Sequence, residues 1–166
     1  VIAHELGHWL NDRYSTGNGG DGMGEGNADV WAMYSYDDPI CGLNFCGLGC
    51  NVRTGLNTRQ YCGDCCPGCY GEVHADGEVW MGAAWKVRDN LNTTLGNTLG
   101  DLTSNEIFLG WMNAYNQSQI RSIIETQWVT LDDDDGNLSN GTPHFHAIDD
   151  GFREQGFPGI VLPCPP

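Results

Sequence analysis

The chain has 166 residues, of which 40% are apolar, enough for one compact unit with a buried core and too many for a disordered or collagen-like chain. Seven Lys and Arg against 22 Asp and Glu leave a net charge of −15, which repels a phosphate backbone and sets nucleic-acid binding aside. The longest nearly apolar stretch, Val79 to Val87, is about half of the roughly 20 residues a membrane span needs, while eight Cys, 24 Gly and a single Lys, Lys86, describe a loop-rich, oxidised, secreted protein.

Val1 to about Tyr14 runs in helical rhythm from its first residue, with no capping side chain, initiator Met or signal peptide before it. This implies a fragment of a longer protein. The Gly-rich run from Ser15 to Gly24 reads as a loop, and a second helix is expected from about Glu25 to Tyr36. Residues 37–72 hold seven of the eight cysteines with little periodicity, which predicts an irregular insert held by disulfides. Asp76 is the expected N-cap of a buried third helix, in which Val79, Trp80, Ala83, Ala84, Val87 and Leu91 recur at three-to-four spacing. Ser104 and Glu106 open a fourth, whose apolar stripe reaches Trp128 and breaks near Asn116. The acidic run Asp132–Asp135 is a turn, and Thr142-Pro143 starts a short helix through Ile148 to Phe152. The fold class is mainly α, one unit over 1–166, with no strongly alternating strand.

His4-Glu5-Leu6-Gly7-His8 is a His-Glu-x-x-His pattern. On a helix, positions i and i+4 share a face, so both imidazoles can meet one zinc ion while Glu5 reaches the metal's water. Catalytic zinc takes three protein ligands and one open position. Asn11 and Tyr14 stand where a metzincin needs Gly and His, so the third ligand comes from elsewhere. Gly24-Glu25-Gly26-Asn27-Ala28-Asp29 supplies Glu25, with Asp29 on the same helical face to accept the free N–H of a zinc-bound imidazole, His4.

Together with Val73-His74-Ala75-Asp76-Gly77-Glu78-Val79-Trp80, these segments resemble, in order, the gluzincin metallopeptidases of the thermolysin type, and most closely the fungalysin branch. The resemblance covers about the first 90 residues; the cysteine insert and the acidic C-terminal stretch depart from it. It implies a zincin catalytic lobe, an upstream lobe not contained in this chain, a peptide or protein substrate, zinc ligands His4, His8 and Glu25, Glu5 as general base and Asp29 behind a ligand. His74 is the expected donor to the developing oxyanion, with Tyr70 or Tyr61 as alternatives because the acidic partner of that His in thermolysin has no clear match.

His144 and His146 read as packing or capping residues. Asp132–Asp135 is a calcium site or a solvated turn, although the EF-hand template fails there. The cysteine cluster favours disulfides over a structural zinc, with at least six cysteines bonded inside the insert or to Cys164. Asn92, Asn116, Asn137 and Asn140 begin Asn-x-Ser/Thr sequons. The leading function is a secreted zinc metalloendopeptidase. A zinc aminopeptidase shares its metal logic, and an extracellular structural or adhesive protein would keep the fold without turnover.

Overall fold

The computed structural model describes residues 1–14 and 17–161. Its elements in order are α1 (Ile2–Tyr14), α2 (Asp21–Tyr36), β1 (Ile40–Cys41), β2 (Arg53–Thr54), α3 (Val73–Leu95), α4 (Asn97–Met112), α5 (Ile123–Asp132), a 3₁₀ turn at Leu138–Asn140 and α6 (Phe145–Glu154). The protein is thus mainly helical. The two short strands pair antiparallel, Ile40 opposite Thr54 and Cys41 opposite Arg53.

Helix α3 is the central post because its apolar residues cover more than one face: Val79, Trp80, Met81, Ala83, Ala84, Val87 and Leu91 are all sealed from solvent. It packs on α2, α4 and α6. Trp80 sits 4.8 Å from the ring of Trp111 on α4, 5.2 Å from Trp128 on α5 and 6.0 Å from Phe152 on α6. Such aromatic pairs each add about 0.5–1.5 kcal/mol beyond area burial. Arg88 lies buried in the same post, its charge met by Asp101 at 2.8 Å and Asp37 at 3.2 Å and its guanidinium 4.7 Å over the Tyr34 ring. It ties the end of α2 to α3 and α4.

Several boundaries differ from the sequence expectation, each for a physical reason. Helix α2 begins at Asp21, inside the Gly-rich run, because its glycines serve close packing. A Cβ on Gly26 would lie 2.9 Å from the carbonyl oxygen of Gly77, and one on Gly77 would lie 2.8 Å from the Gly26 nitrogen. Helix α3 is capped by Glu72, whose carboxylate accepts from the amides of His74 and Ala75; Asp76 instead accepts from the Tyr70 amide at 2.6 Å. The long apolar stripe divides into α4, which starts at Asn97 and not near Ser104, and α5. Thr142 precedes α6 and donates its hydroxyl to Asp132 at 2.6 Å, leaving the first turn to Phe145.

Apart from β1 and β2, the insert is irregular. It is cross-linked at Cys46–Cys50 and Cys62–Cys69, four bonded cysteines among the described residues and not the six expected, because Cys41 is buried as a thiol and the adjacent Cys65 and Cys66 are thiols too. The pairing expected for Cys164 lies outside the described residues, as does part of the run from Ser15. Among the described residues no helix is long and apolar enough to cross a membrane.

Candidate metal centre

Three helices converge on one point. Helix α1 brings His4, Glu5 and His8, α2 brings Glu25 and Asp29, and the first turn of α3 brings His74. Gly7, between the two histidines, makes the α1–α2 contact: a Cβ there would stand 2.7 Å from the Ala28 Cα. Below it a buried amide relay crosses all three helices, with Trp80 Nε1 donating to Asn27 Oδ1 at 2.8 Å and Asn27 Nδ2 to Asn11 Oδ1 at 3.0 Å.

His4 Nε2 and His8 Nε2 are 3.1 Å apart. His4 Nε2 lies 3.3 Å from Glu25 Oε2, and His8 Nε2 lies 3.5 Å from Glu25 Oε1. Two ligand atoms about 2.0–2.1 Å from a zinc ion at tetrahedral angles are about 3.3 Å apart, close to the spacing of the two imidazole nitrogens and of each nitrogen from the carboxylate oxygen it faces. Glu25 Oε2 is sealed from solvent and makes no hydrogen bond. A buried carboxylate oxygen without a donor is costly, and a cation among these atoms removes that cost. Two imidazoles and one carboxylate are also the donor set that suits zinc. The residues present therefore fit the metal expected from the sequence.

Behind the ligands, His4 Nδ1 donates to Asp29 Oδ1 at 2.8 Å, which fixes the proton on Nδ1 and leaves the Nε2 lone pair facing Glu25 and His8. Asp29 is 1% exposed. Burial works to raise its carboxyl, but the hydrogen bonds from His4 and Arg53 outweigh that and hold it below the ordinary range. Arg53 reaches it from β2, Nε to Oδ2 at 2.5 Å and Nη2 to Oδ1 at 3.1 Å. Nothing in the spacing of a cysteine-rich segment marks one of its arginines for this contact.

Glu5 is exposed and, with His4 and His74, borders a cleft of about 840 Å³ whose other wall is the insert, including Ile40, Leu43, Phe45 and Val52. His74 Nε2 stands 3.2 Å from Glu25 Oε2, and its Nδ1 lies 2.5 Å from Glu72 Oε1. The His74 side chain and amide, with the Ala75 amide, lower the Glu72 carboxyl to about 2. Glu72 is thus an acidic partner of the His74 ring and amide. Its signal was present, an acid two residues before the His at a helix start, but Glu is an uncommon N-cap.

The remaining candidates stand elsewhere. The Tyr70 hydroxyl accepts from the Gln60 amide at 2.8 Å, and its ring lies 4.6 Å from the Arg59 guanidinium. Tyr61 stacks on Phe157 and donates to Asp64. Neither tyrosine borders the cleft, because each phenol oxygen is used within the insert. His144 Nδ1 pairs with Asp132 Oδ1 at 2.6 Å, and His146 lies edge-on to Phe145. Asp132 is thereby turned toward α6, whereas Asp133, Asp134 and Asp135 bring carboxylate oxygens within 4.8 Å of one another. No protein-family model, curated protein or solved structure matches the chain, so its functional reading rests on these residues.

Proposed function

We propose that the chain is the metal-binding catalytic lobe of a secreted zinc metalloendopeptidase of the gluzincin type, closest to the fungalysin branch, acting in the cleft beside His4 and Glu5. The observation that carries this reading is the 3.1–3.5 Å spacing of His4 Nε2, His8 Nε2 and the Glu25 carboxylate. Held by these three residues, zinc would supply a Lewis acid and a water acidified toward a pKa of roughly 7.

The protein's side chains do the rest. Asp29, gripped by Arg53, keeps the His4 proton on Nδ1 so that Nε2 faces the metal. Glu5 accepts a proton from the attacking water at its carboxylate and delivers it to the nitrogen of the leaving amine. His74, its Nδ1 held by Glu72, turns Nε2 toward the peptide carbonyl oxygen and donates to it as charge grows there. The substrate is a peptide or protein, and an upstream lobe of the same protein completes its binding surface.

Metal analysis of the full-length protein, run beside a peptide-library digest, tests the reading. One zinc per chain, with peptide products that vanish in Glu5→Gln, supports it. A zinc-loaded protein that cleaves no peptide overturns it.

A further inference from the structure

Away from the metal centre, two acids share a dry site between α5 and α6. Glu125 is 1% exposed and Asp149 5%. The Ile160 amide donates to Asp149 Oδ1 at 2.7 Å, Arg153 Nε donates to Asp149 Oδ2 at 2.5 Å, and the Gly159 amide donates to Glu125 Oε2 at 3.2 Å. The Arg153 guanidinium also holds the carbonyls of Pro158 and Ile160 at 3.3 and 3.4 Å. Glu125 Oε1 is sealed from water and has no donor.

One guanidinium faces two buried carboxyls, and it sits on Asp149. A second unpaired charge in such a place costs more than retaining a proton, and a proton on Glu125 Oε1 turns the orphaned acceptor into a donor toward Asp149. The charged groups acting on Glu125 are Asp149 and Arg153, both from α6. Residues 157–161 carry no charged side chain, and α4, which also packs on α5, carries Asp101, paired to Arg88, and Glu106.

The same segment fastens the root of the insert. Phe157 stacks on Tyr61 at 4.4 Å and meets Phe152 edge-on at 5.0 Å. The Tyr61 amide donates to the Gln155 carbonyl at 2.8 Å, and Gln155 Nε2 donates to Asn57 Oδ1 at 2.8 Å and to the Arg59 carbonyl at 2.5 Å. Arg59 in turn pairs with Glu78, and both border a small pocket together with Glu72 and His74.

We propose that Glu125 and Asp149 share one proton and, with Arg153, form a latch that fastens residues 157–161 and the root of the insert most firmly in acid solution and loosens both progressively as the pH rises through neutrality. Burial first, then the neighbouring Asp149, pushes the Glu125 carboxyl up to about 8 from an ordinary 4.5. A group raised in the closed state stabilises it fully below its ordinary value, and that contribution drains away as pH rises toward the raised one.

Hydrogen exchange of the Gly159, Ile160 and Tyr61 amides in the full chain, corrected for intrinsic rates, tests the latch. Protection should fall by about tenfold per pH unit between pH 5 and 8 and level off above. In Glu125→Gln, whose amide donates to Asp149 without titrating, the slope should vanish. Should that variant misfold, a carboxyl-carbon titration of the unmodified chain decides: Glu125 titrating near 8 supports the latch, and a value near 4.5 overturns it. A flat profile in the native chain, or a slope surviving in Glu125→Gln, also overturns it. A Tyr61 amide indifferent to pH overturns the link to the insert.

Discussion

Glu72 grips His74 twice, its Oε1 lying 2.5 Å from the ring Nδ1 and 3.1 Å from the backbone amide of the same residue. The carboxylate that starts helix α3 is therefore also the group that sets the orientation of the His74 ring. His74→Ala should lower kcat and kcat/KM together by about 100- to 1000-fold with KM and zinc content nearly unchanged, as expected for a donor used only in the transition state. Glu72→Gln should act in the same direction but less, and the double variant should be little worse than His74→Ala alone. Peptide kinetics on the four proteins check this, and fully additive losses would separate the two residues.

Glu25→Ala should abolish stoichiometric zinc, because it removes one of three ligands and leaves two imidazoles on one helix. Glu5→Gln should keep the metal and lose nearly all turnover, since its carboxylate faces the cleft and lies outside the His4, His8 and Glu25 group. Metal content measured beside peptidase activity distinguishes the two. A Glu5→Gln protein of near-normal activity ends the proposed mechanism.

The placement of these side chains was legible because helical spacing carries it: His4 and His8 one turn apart, and Glu25 and Asp29 one turn apart on the next helix, are relationships that sequence distance alone expresses. The buried face of α3 was legible for the same reason. Arg53 was not, because its contact with Asp29 spans 24 residues of chain and depends on a two-residue strand whose position no local periodicity encodes. The start of α2 was missed through a different cause. Glycine weakens an isolated helix, but Gly22, Gly24 and Gly26 are buried where any larger side chain would collide, so tertiary packing outweighs propensity.

Asp29→Ala should weaken zinc affinity about 10–100-fold by freeing the His4 ring. Arg53→Met should produce a smaller loss in the same direction, since Asp29 then keeps its bond to His4 but loses two donors that hold it in place. Competition with a chelating dye measures both. Equal affinity in Arg53→Met and the parent would make that contact one of insert docking alone.

Gly7→Ala offers a test of sign. In an open helix this change stabilises by roughly 0.5–1 kcal/mol, yet here the new Cβ meets the Ala28 backbone at 2.7 Å. Overpacking of this kind costs about 1–3 kcal/mol, and the displaced α1 would carry His4 and His8 away from Glu25. Urea unfolding should show a lowered midpoint, with zinc affinity falling in parallel.

The stability of the metal-free chain should peak near pH 5 and fall on both sides. On the acid side, Glu72 is depressed to about 2 by His74 and by two backbone amides, and Asp149, despite its burial, is held low by Arg153 and the Ile160 amide. A depressed carboxyl stabilises the fold above its ordinary value, and that contribution is lost as pH falls from there toward the depressed one. On the alkaline side Glu125 acts with the opposite sign: raised to about 8, it loses its contribution between about pH 4.5 and 8, while the net charge of −15 adds self-repulsion. For a chain of this size each kcal/mol moves Tm by about 2–4 °C, so thermal unfolding at pH 3, 5 and 8 should show a maximum at the middle value. In Glu125→Gln the fall from pH 5 to 8 should shrink to what self-repulsion alone produces, while the acid limb stays as it was. A Tm that rises steadily from pH 5 to 8 in the parent chain would show that Glu125 is ionised in the fold.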